Sequence, residues 1–412
     1  MATGTPRMTP GILGRIKATL GLTGSEGPDG RPRISPDSID GLAAALGLAN
    51  EQGWKVRIEG ARTWMPADAP ADLTLSTERL NRILSVAPSD LVASVQGGAT
   101  RRAVAERLAA HRTWVAIDPP GSPERTLGSI LATGTAGAVR HRFGPLRDQV
   151  LGTTVVTGDG RIVRAGGIVV KNVAGFDLSK VQIGGFGAFG IIAETNLRLR
   201  ALPAAHRTLL AIGDLDPLAN AARALVDAGV DAVTVELVSP AATGSLGWWL
   251  LVDIAGTEEG VLAEAERARR IGADLAFEVL SGPAAAAFQS AIAEAALDGP
   301  VTIRLGVLPQ SIPEVADLVV ERLGPGRLSA SAGRGGLRWT GHPAAGTLIT
   351  LRHQLAAREI PVTVERAPWS FRAKTGHFGA FREGVRPLSD RVRAVFDPTG
   401  ILMAPLDVPD HA

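Results

Sequence analysis

Two spacings of hydrophobic residues predict the helices and strands of the first third of the chain. Segment 35–52 places Leu42, Leu46 and Ala49 on one helical face, after a cap at Ser35, Asp37 or Ser38. Segment 54–60 (WKVRIEG) alternates with period two and ends at a glycine turn, which indicates a strand. Similar patterns predict strands at 72–77, 91–98 and 113–117 and a helix at 100–111.

Glycine usage changes along the rest of the chain. Between 126 and 204 short strands are separated by glycines, and Gly158-Asp159-Gly160 predicts a hairpin turn. Beyond Leu202-Pro203 the glycine density falls, and Ala-rich helices alternate with strands such as WWLLVDIAG (248–256). That alternation predicts a separate α/β layer with its own sheet. Segment 389–406 is predicted to be a helix that stops at the turn 397–400.

These patterns predict a multidomain chain, as expected for 412 residues. We expect a flexible tail at 1–30, with a short helix from Ile12 to Leu22 that docks on a partner as the alternative. A first domain then covers 31–204, in subdomains of about 31–90 and 91–204. A smaller second domain covers 205–385, and segment 386–412 returns to the first domain.

Composition excludes several classes of protein. Apolar residues at 45% and charged residues at 20% are typical of soluble globular domains, and the net charge of +2 comes without a basic run that would track nucleic acid. No apolar stretch is long enough to span a membrane, and Arg15 and Lys17 interrupt the apolar patch of the N-terminus, unlike a signal peptide. We therefore expect a cytoplasmic protein, with association to the inner face of the membrane through partners as an open alternative.

The chain contains no cysteine. Disulfides, thiolate zinc sites, cysteine-ligated iron–sulfur clusters and a cysteinyl-linked flavin are therefore excluded in this chain. If the protein carries out redox chemistry, it has no cluster of its own to pass single electrons onward.

The segment QIGGFGAFG (182–190) contains a formal G-x-G-x-x-G pattern. In a Rossmann fold this pattern follows a strand and opens a helix that binds a pyrophosphate. Here the following residues 195–200 alternate with period two, which predicts a strand, and no acidic residue stands at a strand end about 20 residues on. The sequence therefore argues against a Rossmann dinucleotide site. The glycines still permit close approach of the backbone to a flat or phosphorylated ligand.

Read together, several blocks resemble the FAD-binding domain of the vanillyl-alcohol oxidase / p-cresol methylhydroxylase (PCMH) flavoprotein superfamily. They are TLGSILATGTAGAVRHRFGPLRDQVLG (126–152), GDGRIVRAGG (158–167) and KNVAGFDLSKVQIGGFGAFGIIAETNLRL (171–199). Within the superfamily, KNVAGFDLSK and DPPGSPERTLGSILATG (118–134) are most similar to the FAD-binding subunit of bacterial glycolate oxidase. The resemblance covers about 33–203, and GGLRW (335–339) and FDPTGIL (396–402) continue it. It implies an α+β, PCMH-type two-subdomain FAD-binding fold with a smaller α/β cap domain.

The resemblance also implies which residues hold a non-covalent FAD. The loop EGARTWMP (59–66) would bind the pyrophosphate through backbone N–H groups, as a nest of successive N–H groups does. The family usually has glycines where this chain has Ala61 and Arg62, so Arg62 is expected either to avoid left-handed backbone or to carry strain, and its guanidinium to be free for a phosphate. The implied cofactor-binding positions are Gly60, Ala61, Arg62, Thr63, Pro120, Thr126, Leu127, Gly128, Ser129, Thr133, Gly134, Gly137, Ile191 and Ile192.

Candidate catalytic residues are fewer. Oxidation of a 2-hydroxy acid needs a base for the hydroxyl proton and cations for the carboxylate. His377 is the best single base candidate, and Arg334 and Arg338 are candidates for binding an anion; each is also compatible with a structural role. No histidine or carboxylate spacing matches a metal site, so no metal is expected.

The sequence is compatible with three hypotheses. The chain is an FAD-binding subunit of a glycolate-oxidase-type complex, acting on a small 2-hydroxy acid of the glycolate or D-lactate class beside a second flavin subunit and an iron–sulfur subunit. Alternatively, it is a self-sufficient FAD-linked oxidase or dehydrogenase of a hydroxy acid or alcohol. As a third possibility, it is a non-catalytic assembly subunit that keeps the flavin fold.

Overall fold

The computed structural model describes residues 9–168, 178–280, 298–379 and 384–404, together with Ala285 and Ala293. Most of the block KNVAGFDLSK, at 171–177, lies outside the described residues. The helices are Thr9–Leu20, Ile39–Gln52, Arg101–Ala109, Leu127–Thr133, Arg140–Phe143, Ser179–Gln182, Leu215–Asp227, Pro240–Thr243, Glu258–Ile271, Ile312–Leu323, Ala345–Ala356, Trp369–Thr375 and Val385–Phe396, with 3-10 turns at Leu146–Gln149 and Pro309–Ser311.

The first sheet has four strands, in the order Gly24–Glu26, Pro32–Ile34, Leu73–Ser76 and Val56–Glu59. The last three run parallel, and helix Ile39–Gln52 connects two of them. Among the possible caps, Ser38 accepts a hydrogen bond from the Gly41 N–H at 3.1 Å, and the helix ends at Gly53 with a φ of +64°. The predicted apolar face, Leu42, Leu46 and Ala49, is fully buried under the sheet.

Residues within the predicted flexible tail instead form a helix, Thr9–Leu20. Ile12 and Ile16 are buried in the core of the first sheet, whereas Arg15 and Lys17 point to solvent. Because the two isoleucines are four residues apart, they share one helical face and can bury it against helix Ile39–Gln52. The helix alternative therefore describes this segment better than the tail did, and its apolar face packs on this chain.

The second sheet has five antiparallel strands, in the order Ile83–Ala87, Val92–Gln96, Ile191–Arg198, Val150–Val156 and Ile162–Gly166. Strand Ile191–Arg198 begins directly after Gly190, which has a φ of +127°. The third glycine of the G-x-G-x-x-G pattern, Gly190, thus opens a strand, and the argument against a Rossmann site is confirmed. The predicted hairpin turn also forms, with Gly160 at a φ of +82°. A short pair, Thr113–Trp114 with Arg200–Ala201, completes the domain.

The second domain is built on an antiparallel sheet of eight strands, which we call the cap sheet. Their order is Glu278–Leu280, Ala205–Gly213, Trp248–Gly256, Thr234–Val238, Arg327–Ser331, Gly336–Gly341, Val301–Leu305 and Val362–Arg366. Alternate residues such as Leu237, Val252 and Trp339 form an apolar core under the helices of this domain. The residues between them line the opposite face, which lies against the first domain. The predicted separate sheet is therefore present.

Specific contacts join the two domains. Arg142 pairs with Asp231 at 2.8 Å, and Arg338 donates to the Ala136 carbonyl at 2.9 Å. The C-terminal residues also reach the first sheet, where the Val56 N–H donates to the Ile401 carbonyl at 2.8 Å. These contacts hold the polar face of the cap sheet over the loops of the first domain.

Candidate functional site

A cleft of about 140 Å³ lies where three elements of the first domain meet. They are the loop after strand Val56–Glu59, the start of helix Leu127–Thr133 and the start of strand Ile191–Arg198. Most of the predicted cofactor positions line it: Gly60, Ala61, Arg62, Thr63, Thr126, Gly128, Ser129, Thr133, Ile191 and Ile192. The structure thus brings together residues that are up to about 130 positions apart in the sequence.

The loop presents free backbone donors to this cleft. None of the N–H groups from Ala61 to Met65 donates a hydrogen bond to another described residue. Arg62 has a φ of +58°, so the loop alternates backbone hand, as anion-binding nests do. Arg62 therefore does not avoid the left-handed region. Its Nε lies 3.4 Å from the Glu59 carboxylate, so the guanidinium expected to be free for a phosphate already faces an acid.

Gly60 fits closely against the neighbouring helix. A Cβ at this position would lie 2.5 Å from the Thr126 hydroxyl oxygen, which caps helix Leu127–Thr133 by accepting from the Ser129 N–H at 3.3 Å. A larger residue would push the loop and the helix cap apart. The free N–H groups and this close approach fit a phosphate-bearing ligand that contacts main chain.

Four predicted cofactor positions lie outside this cleft. Leu127 is 1% exposed and packs in the core under the second sheet, and Gly134 ends its helix with a φ of +61°. Both shape the cleft without lining it. Pro120 and Gly137 line a second, larger cavity.

This second cavity, of about 450 Å³, lies between the first domain and the cap sheet. The first domain contributes segments 118–121 and 136–140. The cap sheet contributes the polar face described above, with alternate residues of six neighbouring strands: Thr208, Asp253, Thr234, Glu236, Ser329, Ser331, Arg338, Thr340 and Arg304. We call it the interdomain cavity.

Arginines dominate the charge of the interdomain cavity. Arg338 pairs through Nε with Glu365 at 2.7 Å, and Arg304 pairs with the same carboxylate at 2.9 Å. Burial would raise the pKa of Glu365, but the two arginines outweigh it and hold the pKa below its ordinary value. Arg101 and Arg140 differ, because neither guanidinium pairs with another described residue.

The two unpaired arginines are held in an unfavourable environment. Burial lowers the pKa of Arg101, and its Nε has no hydrogen-bond partner within the described chain. Burial, and then the neighbouring charges of Arg304 and Arg334, lower the pKa of Arg140. An anionic ligand in the cavity would relieve both effects, because it would neutralise crowded and incompletely solvated cations.

Two carboxyl groups that the sequence analysis did not single out also line the interdomain cavity, Asp118 and Glu236. Burial raises the pKa of Asp118 to about 7, against the effect of backbone donors and Arg338. Burial, and then the charge of Asp118, raise the pKa of Glu236 to about 8. Both groups therefore exchange protons in the neutral range, where acid–base catalysis is most effective.

Arg125 connects the cleft and the interdomain cavity. It is 1% exposed, and it donates to the Pro120 carbonyl at 3.1 Å and to the Thr133 hydroxyl at 2.5 Å. Its guanidinium also lies 4.3 Å from the ring centre of Trp64. Burial lowers its pKa to about 9. Arg125 thus fixes the spacing between loop 118–121 and the end of helix Leu127–Thr133.

The three predicted catalytic residues lie apart from one another. Arg338 lines the interdomain cavity. Arg334 is exposed, and its Nε donates to the His141 carbonyl at 2.8 Å, outside both sites. It is not among the residues that line the cleft or the interdomain cavity.

His377 lies in the cleft and is 1% exposed. Burial lowers its pKa to about 3, so the ring is neutral, and Nδ1 donates to the Val364 carbonyl at 2.7 Å. The ring also stacks on Phe186 with 3.8 Å between ring centres. A neutral, stacked ring outside the cavity that holds Arg338 does not suit the expected base. The sequence could not reveal this burial, because His377 follows a polar segment.

The described residues contain no cluster of three or more histidines and acids able to hold a metal ion. None of the helices within the described ranges combines the length and hydropathy needed to cross a membrane.

Comparisons with known proteins identify the class of the first domain. Residues 32–166 match the family model of the FAD binding domain. FAD is therefore the cofactor of this domain, in agreement with the prediction, and the free N–H groups of loop 60–65 fit its pyrophosphate.

Part of the chain is similar in sequence to parts of several named proteins. The chain is 34% identical over 137 residues to the glycolate oxidase subunit GlcE of Escherichia coli K12, covering 33% of this chain and 39% of that protein. It is 29% identical over 167 residues to the glycolate oxidase subunit GlcD of Bacillus subtilis, covering 40% and 36%. It is 33% identical over 173 residues to a D-2-hydroxyglutarate dehydrogenase of Xanthomonas citri pv. viticola, covering 41% and 37%. The matches span about two fifths of the length of these relatives.

Solved structures share the fold over nearly the whole chain. Alkyldihydroxyacetonephosphate synthase superposes with a TM-score of 0.72 at 13% identity, over 97% of this chain and 85% of that one. The 4-ethylphenol oxidase of Gulosibacter chungangensis superposes with a TM-score of 0.69 at 14% identity, over 90% and 88%. The predicted α+β, PCMH-type fold with a cap domain is confirmed.

Proposed function

We propose that the chain is the FAD-binding subunit of a glycolate-oxidase-type complex and supports two-electron oxidation of a small 2-hydroxy acid of the glycolate or D-lactate class. The observation that carries the proposal is the interdomain cavity, where two unpaired arginines and Arg338 meet two proton-exchanging carboxyl groups. A 2-hydroxy acid has the matching groups, a carboxylate beside a hydroxyl that must lose a proton.

Separate groups of residues hold the cofactor and the substrate. Loop 60–65 binds the FAD pyrophosphate through its free N–H groups, without a covalent link, since the chain has no cysteine and the loop has no histidine. Arg101, Arg140 and Arg338 bind the substrate carboxylate. Bound FAD supplies the acceptor for a hydride. The protein holds the substrate by charge, and loop 136–140 excludes water from one side of the cavity.

The composition supports the proposed partners. Without cysteine the chain has no iron–sulfur cluster of its own to receive electrons one at a time. A second flavin subunit and an iron–sulfur subunit would receive them, and the subunit names of two glycolate oxidase relatives support such a complex. The corresponding location is the cytoplasm, at the inner membrane face where partners hold it there.

One alternative has an observation in its favour. Both the cations for the carboxylate and the proton-exchanging carboxyl groups come from this chain alone. A self-sufficient FAD-linked oxidase or dehydrogenase would need that arrangement. A non-catalytic assembly subunit would not need it, so that hypothesis has less support.

The test begins with the purified chain reconstituted with FAD. The flavin spectrum should appear on binding, and acid precipitation should release the flavin to the supernatant. Anaerobic glycolate or D-lactate should bleach the flavin in either case, because reduction of bound FAD does not require electrons to leave it. Oxygen admitted afterwards should restore the colour rapidly if the chain is a self-sufficient oxidase, and slowly if electrons must leave through partners. Absence of bound flavin, or no bleaching even with the partner subunits present, would contradict the proposal.

A matched pair of variants tests the arginines. Arg140→Gln should raise KM for the hydroxy acid by roughly 10- to 100-fold, as expected for one lost charge-assisted hydrogen bond. Arg147→Gln is the control, because Arg147 lies seven residues further on and its side chain is 63% exposed. Equal KM values in the two variants would show that Arg140 does not bind substrate.

A further inference from the structure

Glu236 occupies the middle of the polar face of the cap sheet. It stands in strand Thr234–Val238, directly opposite Ser331 on the neighbouring strand. Its neighbours Val235 and Leu237 point into the apolar core, so the alternation of the strand directs Glu236 into the interdomain cavity. It forms no ion pair with another described residue. Apart from the Ser331 hydroxyl, a ligand rather than the protein would be the partner of this carboxyl group.

Asp118 approaches the same part of the cavity from the first domain. Its Oδ2 accepts a hydrogen bond from the Val139 N–H at 3.0 Å. A Cβ on Gly137 would lie 1.9 Å from the Asp118 carbonyl oxygen and 2.5 Å from Oδ1, so the loop encloses this side chain. Asp118 is therefore fixed by main chain, and its Oδ1 is covered, whereas Glu236 remains accessible.

Arg338 would orient the bound substrate. It lies two strands from Glu236, across strand Arg327–Ser331, which corresponds to roughly 10 Å between the backbones. Two long side chains can meet a three-carbon acid across that span from either end. A carboxylate held by Arg338 would then place the neighbouring hydroxyl on the side of Glu236.

We propose that Glu236 is the catalytic residue that accepts the substrate hydroxyl proton, and that Asp118 is a positioning residue whose charge controls when Glu236 can do so. The inference rests on the proposed function. In the step, the O–H bond breaks and its proton binds a carboxylate oxygen of Glu236. Bound flavin would accept the Cα hydrogen as a hydride with its two electrons, and the electron pair left on oxygen would form the C=O bond of the 2-oxo acid.

The pH dependence follows from the charges around the pair. Asp118 raises the pKa of Glu236 and Arg338 lowers it, with Ser331 also lowering it from the adjacent strand. Arg338 also lowers the pKa of Asp118, and Asp118 and Arg101 are near enough to influence one another. Because Asp118 ionises first, near pH 7, Glu236 becomes an acceptor as the pH rises through about 8. Activity should therefore increase along a basic limb.

The experiment compares three variants of the FAD-reconstituted full chain, with its partner subunits where these are needed for turnover. Glu236→Gln should lower kcat/KM by 10²- to 10⁴-fold and abolish the basic limb, as for loss of a general base. Asp118→Asn should keep the limb and move it to lower pH, because it removes a like charge. Asp37→Asn, at an exposed ion pair, is the control and should match wild type.

A binding measurement separates this inference from the proposed function. 2-Hydroxyisobutyrate has the carboxylate and hydroxyl but no Cα hydrogen, and isobutyrate lacks the hydroxyl. The preference for the hydroxy acid should grow as the pH rises through 8 in wild type, and should not change with pH in Glu236→Gln. Circular dichroism and FAD content check folding, and Glu236→Asp, which keeps a titrating group, serves if the glutamine variant is unfolded.

Each outcome decides between the two proposals. If wild type oxidises no hydroxy acid but still prefers 2-hydroxyisobutyrate over isobutyrate as the pH rises, the proposed function fails. Glu236 then contacts the ligand hydroxyl but takes part in no oxidation. If wild type is active and Glu236→Gln keeps both its rate and its basic limb, Glu236 is not the base although the function stands. If the basic limb of the Asp118→Asn profile stays at its wild-type pH, the proposed role of Asp118 is wrong.

Discussion

Replacing Glu236 by glutamine should change how the stability of the chain depends on pH. The ordinary pKa of the glutamate is 4.5, and burial raises it to about 8 in the folded protein. Between these two values the folded state keeps a proton that the unfolded state releases. The wild type therefore loses stability as the pH rises from about 5 to 8, and above 8 the full cost of a buried carboxylate is present. The glutamine variant lacks this cost at every pH.

The size of the effect can be worked out from the same values. The difference between 4.5 and about 8 corresponds to about 5 kcal/mol at most. Because the cavity admits water, which solvates part of the charge, we expect about half of that. At roughly 2–4 °C per kcal/mol for a domain of this size, the melting temperature of Glu236→Gln should exceed that of wild type by roughly 5–10 °C at pH 9. At pH 5 the two should agree closely.

Thermal and urea denaturation of the flavin-free proteins at pH 5, 6, 7, 8 and 9 provide the assay. Glu321→Gln is a matched control, since the Glu321 side chain is 66% exposed and the same atoms are replaced. Its curve should run parallel to that of wild type. If the Glu236→Gln curve also runs parallel from pH 5 to 9, Glu236 is solvated in the folded protein and the reasoning about its proton is wrong.

Three further variants test other parts of the molecule. Arg62→Gly should raise the free energy of unfolding by about 1 kcal/mol, because it relieves left-handed strain, and should leave FAD affinity intact. Arg62→Ala keeps the strain, so denaturation should show no increase in its free energy of unfolding. His377→Gln should leave the pH profile between 6 and 9 unchanged, since the ring is neutral throughout, and a moved limb would identify His377 as the titrating base. Gly137→Ala should lower the melting temperature and disturb the Asp118 titration, because its Cβ would lie 1.9 Å from the Asp118 carbonyl oxygen. Gly346→Ala has open space around its Cβ and should be as stable as wild type, and equal behaviour of the two variants would refute the steric argument.

Local patterns were sufficient to predict most of the elements. Helix Ile39–Gln52 and the strand after Gly190 follow from spacing and capping alone, since both depend on neighbours in sequence. The cleft lined by most of the predicted cofactor positions could also be anticipated, because the family resemblance of the surrounding sequence pointed to loop 60–65. Helix Thr9–Leu20 shows the limit of this reasoning. Its two buried isoleucines carry too weak a signal until helix Ile39–Gln52 provides a surface for them.

The interdomain cavity could not be predicted in the same way. Glu236 in TVELV, Ser331 in RLSAS and Arg338 in GLRWTG alternate with apolar residues, as in any sheet with one solvated face. Whether that polar face meets water or a second domain depends on contacts such as Arg338 to Ala136, which join residues about 200 positions apart. Asp118 gives still less signal, because it precedes two prolines in an irregular loop.

The position of these groups also bears on how the proposed complex would divide the reaction among its subunits. Proton transfer requires Glu236 to touch the substrate, and carboxylate binding requires the arginines to touch it, so both belong to the chain that encloses the substrate. Electron transfer does not need such contact, and a chain without cysteine has no cluster of its own for single electrons. A chain that carries the proton and anion chemistry, but no relay, is the arrangement expected if substrate oxidation occurs here and the electrons leave through another subunit. The bleaching experiment distinguishes this from a self-sufficient oxidase, because only a chain that depends on a partner keeps its flavin reduced when oxygen is admitted after anaerobic bleaching.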